Sequence, residues 1–241
     1  IFALYPHVFV EWIEKNQRLF KSGALITDVT GVKRTILYQI QRMLRPDVEF
    51  VAAHPMAGRE QSGVEFSDPS VFRGANYIVT PTKKSTKDAI ELCKKLGQVL
   101  GFARISELSP EDHDVMIGFL SQLTHCIAIT LMTCNEKENM EKFTGDSFRD
   151  LTRIARINDL MWSELFIENK TYDAANAIIR LAKTTVHTFS KFSMNSPSRY
   201  KPYSKAENLS FLIPREDCFN MILTPSFSST KFNIWSLRIV V

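Results

Sequence analysis

The first hundred residues alternate short apolar runs with stretches spaced for a helix. Residues 1–5 are an apolar run stopped by Pro6, and across 7–20 Val10, Ile13, Gln17 and Phe20 recur at helical intervals, so the chain opens with a strand and a helix. A second strand is expected at 24–27, ending in Asp28-Val29-Thr30-Gly31; across 32–44, Val32, Ile36, Ile40, Met43 and Leu44 share one helical face. A third strand at 50–53 runs into His54-Pro55-Met56-Ala57-Gly58, and a fourth at 77–80 is closed by Pro81. Residues 86–100 form an amphipathic helix carrying Leu92, Leu96 and Val99. Strands alternating with helices predict βαβ units, hence a mostly parallel sheet with helices on its faces. Ligands of such sheets bind at the carboxyl ends of the strands, so the loops 28–31 and 54–58 are expected to be neighbours in space.

From residue 109 the period changes. Ser109-Pro110-Glu111-Asp112 is a helix start, with a capping serine, proline in the first turn and two acids against the helix dipole. Helical spacing runs through 115–133, resumes at 148–167 and again at 172–192, with no strand between. These helices are apolar on more than one face, which predicts packing against a second copy of the chain. Residues 193–205, rich in Ser, Pro and Lys, read as a linker before two short strand candidates at 219–223 and 234–241. The expected organisation is an α/β domain over 1–104, an all-α domain over 105–192, and a linker with a poorly defined tail over 193–241.

Composition narrows the classes. With 44% apolar and 23% charged residues the 241-residue chain has ordinary globular composition. Charges are read as interrupting every apolar run before the roughly 20 residues a membrane span needs, so no span is expected. The net charge of +4 divides into +5 over 1–104, −4 over 105–192 and +3 over 193–241. A mildly basic segment beside an acidic one does not suit nucleic acid, and fits a small anionic ligand better. The sequence opens without an initiator Met, a basic n-region or a small-residue cleavage site, so it is expected to begin mid-protein with no secretory signal. Cys93, Cys126, Cys134 and Cys218 show no paired spacing, which fits free thiols in a reducing compartment and a cytoplasmic location.

Candidate chemistry gathers at a few positions. No three glycines make GxGxxG, so either no dinucleotide is bound or the first βαβ unit lies upstream of Ile1. His54, in a Pro- and Gly-flanked loop, is either a base working near neutral pH or a loop histidine bonded to a carbonyl. Asp114, Gly118, Ser121 and His125 fall almost on one helical line, with Asp114 and His125 about 16 Å apart along the axis, too far to act as a pair. Asp150 and Arg153, three apart, are either a surface ion pair or part of a carboxylate clamp. Trp162, half a turn out of phase with Arg153, reads as interface packing. No set of residues has metal-ligand spacing, and His54, His113 and His125 are too scattered in the chain to make a site.

The ordered motifs resemble one family. Thr27-Asp28-Val29-Thr30-Gly31-Val32-Lys33, His54-Pro55-Met56-Ala57-Gly58-Arg59-Glu60-Gln61-Ser62-Gly63, Asn76-Tyr77-Ile78-Val79-Thr80-Pro81-Thr82, His113-Asp114 with His125, and Phe148-Arg149-Asp150-Leu151-Thr152-Arg153-Ile154-Ala155 ending at Trp162 resemble prephenate dehydrogenase over about 1–192. The resemblance implies an incomplete Rossmann-like parallel-sheet domain followed by a helical domain that forms a homodimer. It also implies NAD or NADP as cofactor and oxidative decarboxylation of prephenate to 4-hydroxyphenylpyruvate, on the route to tyrosine. By resemblance His54 is the catalytic histidine, and Arg153 binds the substrate carboxylate with Asp150 beside it. His125 and Gly58 touch substrate, and Trp162 reaches the neighbouring subunit's site. Tyr5, Pro6, Thr30 and Gly31 lie along the nicotinamide and its ribose, with Thr30 replacing from one position away a serine usual in the family. Of the Ser-His-Leu-Pro-His found in many members, only the second histidine is kept in Ser121-Gln122-Leu123-Thr124-His125. Residues 232–239 are similar to a short part of the regulatory ACT domain that some members append. Arogenate as substrate stays open, as does a non-catalytic dimeric, ligand-binding remnant without a pyrophosphate site.

Overall fold

The computed structural model of the chain describes residues 1–58, 64–133 and 139–173, together with 177 and 180. The polar run 59–63, most of the expected helix 172–192, Cys134, Cys218 and the whole tail 193–241 lie outside them. The described residues fall into two compact units, one made of Ile1–Ile117 with Asp159–Tyr172, the other of Gly118–Asn158 with residues from Asp173 on.

In the first unit α1 (Pro6–Asn16) begins with Pro6 in its first turn, where a missing N–H costs nothing. Its Phe9 and Ile13 meet Ile36, Leu37 and Ile40 of α2 (Arg34–Met43) in one core cluster. Between them lies β1 (Leu25–Ile26), paired in parallel with β2 (Glu49–Phe50), whose chain continues as β3 (Ala52–Met56). The stretch alternates as a strand should: Phe50 and Ala52 face α1 and α2, whereas Val51 and Ala53 face a second cluster. That second cluster adds Tyr77 and Val79 of β4 (Asn76–Thr80), and Ala89 and Cys93 of α3 (Lys87–Val99), which Thr86 caps by accepting the Ala89 N–H. α3 and β4 approach closely at Gly97, where a Cβ would lie 2.7 Å from Tyr77 Cδ1.

Several expectations are corrected. The sheet is mixed: β3 and β4 run antiparallel, while β4 pairs in parallel with β5 (Arg104–Glu107), a strand the sequence pattern missed. The connections explain the directions, because α2 and α3 are the crossovers that parallel pairs require, whereas the described part of the β3–β4 link holds only single 3₁₀ turns. The expected strand 1–5 reduces to one parallel bridge between Phe2 and Asp28. His54 sits inside β3, opposite Ile78, and not in a loop beyond it.

The helix begun by Ser109-Pro110 runs as α4 (Pro110–Ile117), a π-helical segment at Gly118–Gln122, and α5 (Leu123–Thr133). The π turn breaks the 3.6 period, so the expected line through Ser121 fails, and Gln122 is the buried polar residue there. No Asp, Glu, Lys or Arg occurs between Asp114 and Glu136, and the helical run Pro110–Thr133 is, by length and composition alone, apolar enough to cross a membrane. The expectation that charges break every run is therefore wrong here. His113 and Asp114, both buried, stand in this run, and Phe119, Leu120, Leu131 and Met132 are exposed along it. The expected helix 148–167 is interrupted. It consists of α6 (Asp146–Thr152), a 3₁₀ turn at Arg153–Ala155, and α7 (Asp159–Glu168), which packs in the first unit.

Candidate active site

Three carboxyl ends of neighbouring strand segments build the site. Phe2 bridges Asp28, which sets 1–6 beside 27–31, and the buried Asp28 accepts the Ala53 N–H at 3.1 Å, which pins the residue before His54 to the end of β1. The turn after β1 and the strand that bears His54 are thus neighbours. Asp28 Oδ2 also takes the Lys33 Nζ at 2.7 Å, the Thr30 N–H at 3.1 Å and a short bond from the Thr30 hydroxyl. That hydroxyl lies within reach of the Val32 carbonyl and accepts from Lys33 Nζ, so it is turned into the protein and does not stand in for a ligand-facing serine. Burial pushes the Lys33 ammonium below its ordinary range, against the opposing pull of Asp28.

From Lys33 the network passes to α4. Asp114 Oδ1 accepts the Lys33 N–H at 2.8 Å and Oδ2 accepts the Arg34 N–H at 2.9 Å, so a buried carboxylate from α4 satisfies the first amides of α2. Asp114 Oδ1 also lies 2.8 Å from His113 Nδ1, and His113 Nε2 lies 2.9 Å from His54 Nδ1. His113 is wholly buried, whereas His54 keeps part of its surface open. Desolvation pushes His54 well below its ordinary value near 6.5, helped by His113 and the Lys33 charge; His113 is also pushed down by burial, against the pull of Asp114. His54 is therefore neutral at physiological pH. Its Nε2 has no hydrogen-bond partner among the described residues, which is the state of a base awaiting a proton. The expectation that His54 and His113 are too far apart to share a site is overturned. His113, Asp114, Lys33 and Asp28 were missed as one cluster; the only sequence signals were the His113-Asp114 pair just inside a helix start and an acid closing a strand.

The other candidate residues divide between the units. Pro6 is buried and Tyr5 half-exposed at the start of α1. Gly31 is packed tightly, since a Cβ there would lie 3.2 Å from Leu165 Cδ2 of α7, whereas Gly58 is exposed with open space beside it. Trp162 rests on Phe166 within α7, and the same helix sends Glu164 Oε1 to the His7 N–H and Nδ1, each at 2.8 Å. In the second unit, His125 Nδ1 donates to the Ser121 carbonyl at 2.9 Å, and burial followed by the charge of Arg153 pushes the imidazole below its ordinary value. Arg153 opens the 3₁₀ turn after α6, Asp150 is exposed on α6, and the ion pair on that helix joins Arg149 to Asp146.

Two family models match the chain, and the boundary between them lies ahead of α4, so it differs from that of the compact units. Residues 1–105 match the family described as prephenate dehydrogenase, nucleotide-binding domain, and residues 109–196 the one described as prephenate dehydrogenase, dimerization domain. The chain is 36% identical over 151 residues to a prephenate dehydrogenase of Bacillus subtilis, covering 61% of this chain and 40% of that protein. It is 33% identical over 155 residues to the enzyme of that name from Lactococcus lactis, covering 62% of this chain and 42% of the relative. Among solved structures it is similar to prephenate dehydrogenase from Aquifex aeolicus in complex with hydroxyphenyl propionate and NAD+, with TM-score 0.70 and 31% identity, covering 80% of this chain and 68% of that one. The chain thus spans about two fifths of the length of the curated relatives it matches.

Proposed function

The chain belongs to the prephenate dehydrogenase family, and from that premise we propose that it supplies the base and substrate-binding residues of an NAD(P)-dependent enzyme that oxidatively decarboxylates prephenate. The observation that carries this reading is the neutral His54, with Nδ1 engaged by His113 and Nε2 open, in β3 beside the carboxyl end of β1. Residues 1–104 are read as the nucleotide-binding part, and 105–192 as the part that dimerises and binds substrate.

The residues present fit the nicotinamide end of a dinucleotide. Tyr5-Pro6 and Thr30-Gly31 follow adjacent parallel segments joined by the Phe2–Asp28 bridge, next to the strand that bears His54. In this reading Tyr5, Pro6 and Gly31 line the ring and ribose, with Thr30 contributing backbone because its hydroxyl is engaged by Asp28 and Lys33. A nicotinamide held there would supply the hydride acceptor for the carbinol carbon of prephenate. His54 Nε2 takes the proton of the hydroxyl on that same carbon. As the ring carboxylate leaves as carbon dioxide, its bonding pair enters the ring, which becomes an aromatic phenolate and makes the step irreversible, and the ring oxygen then recovers the proton held by His54. Arg153, with Asp150 near it, holds a substrate carboxylate by a charge-assisted bond, His125 and Gly58 contact substrate, and Trp162 serves a neighbouring subunit's site. The exposed apolar residues of α5 suit a homodimer, and the reaction suits the cytoplasm.

Replacing His54 with Asn in the natural full-length polypeptide is expected to lower kcat by about 10²- to 10⁴-fold while leaving NAD(P) binding unchanged. Prephenate-dependent NAD(P)H formation, compared with arogenate, reads both the activity and the substrate. Undiminished turnover in the His54 variant would refute the assignment. Since no GxGxxG occurs in residues 1–241, lack of turnover and of dinucleotide binding in the wild-type full-length polypeptide would favour the non-catalytic remnant.

A further inference from the structure

We propose that His113 and Asp114 are positioning residues that hold His54 in the tautomer with its lone pair on Nε2 and carry away its charge through a His54–His113–Asp114 relay. The proposal rests on His54 being the base, as argued above, and adds what makes it one.

The tautomers follow from the donors around Asp114. Its Oδ1 receives the Lys33 N–H and faces His113 Nδ1, and its Oδ2 receives the Arg34 N–H. Backbone amides only donate, so the carboxylate acts as acceptor, and the contact with His113 is a bond only if the hydrogen is on His113 Nδ1. The lone pair of neutral His113 is then on Nε2. Across 2.9 Å that nitrogen faces His54 Nδ1, which must therefore carry the hydrogen, and the lone pair of His54 is left on Nε2, the atom without a partner among the described residues. One carboxylate thus sets two tautomers in series.

The same geometry gives a route for charge. When His54 Nε2 gains the substrate hydroxyl proton, the Nδ1 hydrogen can pass to His113 Nε2. His54 is then neutral again with its hydrogen on Nε2, and the positive charge rests on His113, against Asp114. At His54 one N–H bond forms and one breaks, at His113 one forms and its Nδ1–H to Asp114 is kept, and no other reactant is needed. The charged groups acting on the pair are Asp114 and Asp28, which favour a cation on His113, and Lys33, which opposes it on both rings and is itself paired with Asp28 at 2.7 Å. Capping of α2 alone would account for Asp114, but not for a wholly buried histidine bridging it to the base. Isosteric apolar packing would fill that space without the desolvation a buried imidazole incurs.

The test uses three variants of the natural full-length polypeptide. His113→Leu removes the acceptor for His54 Nδ1, His113→Gln offers an amide oxygen as acceptor but cannot take a proton, and Asp114→Asn removes the charge. His113→Leu and Asp114→Asn are expected to lower kcat by about 10²- to 10⁴-fold, the upper end being the loss a wrong tautomer causes in hydrolase triads, with KM for prephenate and Kd for NAD(P) within about twofold. His113→Gln should recover part of the loss. Its dependence of rate on deuterium fraction should be linear, where the wild type's is bowed by two protons moving. The acid limb of kcat/KM should move to lower pH in Asp114→Asn. Unchanged kcat in all three, or a linear dependence in the wild type, would overturn the relay. Nitrogen NMR of the imidazoles reads the tautomers with no substrate present, so the lock is judged even if prephenate is not the substrate. His54 and His113 should each be protonated at Nδ1 alone in the wild type and become mixed in Asp114→Asn; mixed tautomers in the wild type would refute the lock.

Discussion

Asp28 and Lys33 are each 1% exposed, and their ion pair fixes the turn between β1 and α2. Removing one member of a buried pair leaves the other uncompensated, which costs about 3–5 kcal/mol. Asp28→Asn is therefore expected to destabilise the protein by about that much in urea titration. The double variant Asp28→Asn, Lys33→Met should recover part of the loss, because no buried charge then lacks its partner. Asp28 and Lys33 are legible in the sequence only as members of a motif. That the Thr30 hydroxyl joins them, and so is not offered to a ligand, depends on a side-chain rotamer that no spacing rule supplies.

At the scale of elements, α7 matters beyond its own length. Its Leu165 lies over Gly31, its Glu164 reaches the start of α1, and the Glu168 carbonyl accepts the Thr35 hydroxyl, while Asn169 just beyond it donates to the Asp114 carbonyl. Gly31→Ala should crowd Leu165 and cost about 1–3 kcal/mol, and Leu165→Ala in the same chain should relieve part of it, a coupling that a double-mutant cycle in thermal unfolding would measure. Periodicity located α1, α2 and α3 because each buries one stripe. It missed β5, whose Arg104-Ile105-Ser106-Glu107 offers a single large apolar residue, and it ran α6 and α7 together across a 3₁₀ turn and the non-helical residues 156–158.

At the scale of the whole molecule, three imidazoles held neutral make stability depend on pH. His54, His113 and His125 all lie below 6.5 in the folded chain, so between their folded values and 6.5 the unfolded chain binds more protons. Stability is then level above pH 6.5 and falls as pH drops through and below it. Melting temperature measured from pH 8 to pH 5 should decline over the lower half of that range, and less steeply in His113→Gln. The exposed Phe119 and Leu120 belong to the residues matched as a dimerization domain. On the homodimer proposed above, Phe119→Glu with Leu120→Glu is expected to shift sedimentation from dimer towards monomer.

What the sequence determined by itself was the α/β-then-helical order, the family, and the turn 28–31 at the end of β1, because strand ends, helix caps and apolar periods are local. Three things were decided only by the tertiary structure: the antiparallel β3–β4 pair, the break at Arg153, and the junction of His54 with His113 and Asp114. Fifty-nine residues separate the two histidines, and their meeting depends on the direction in which α4 leaves β5. Only the packed chain, where a buried acceptor must find its donors, brings that distance down to a hydrogen bond.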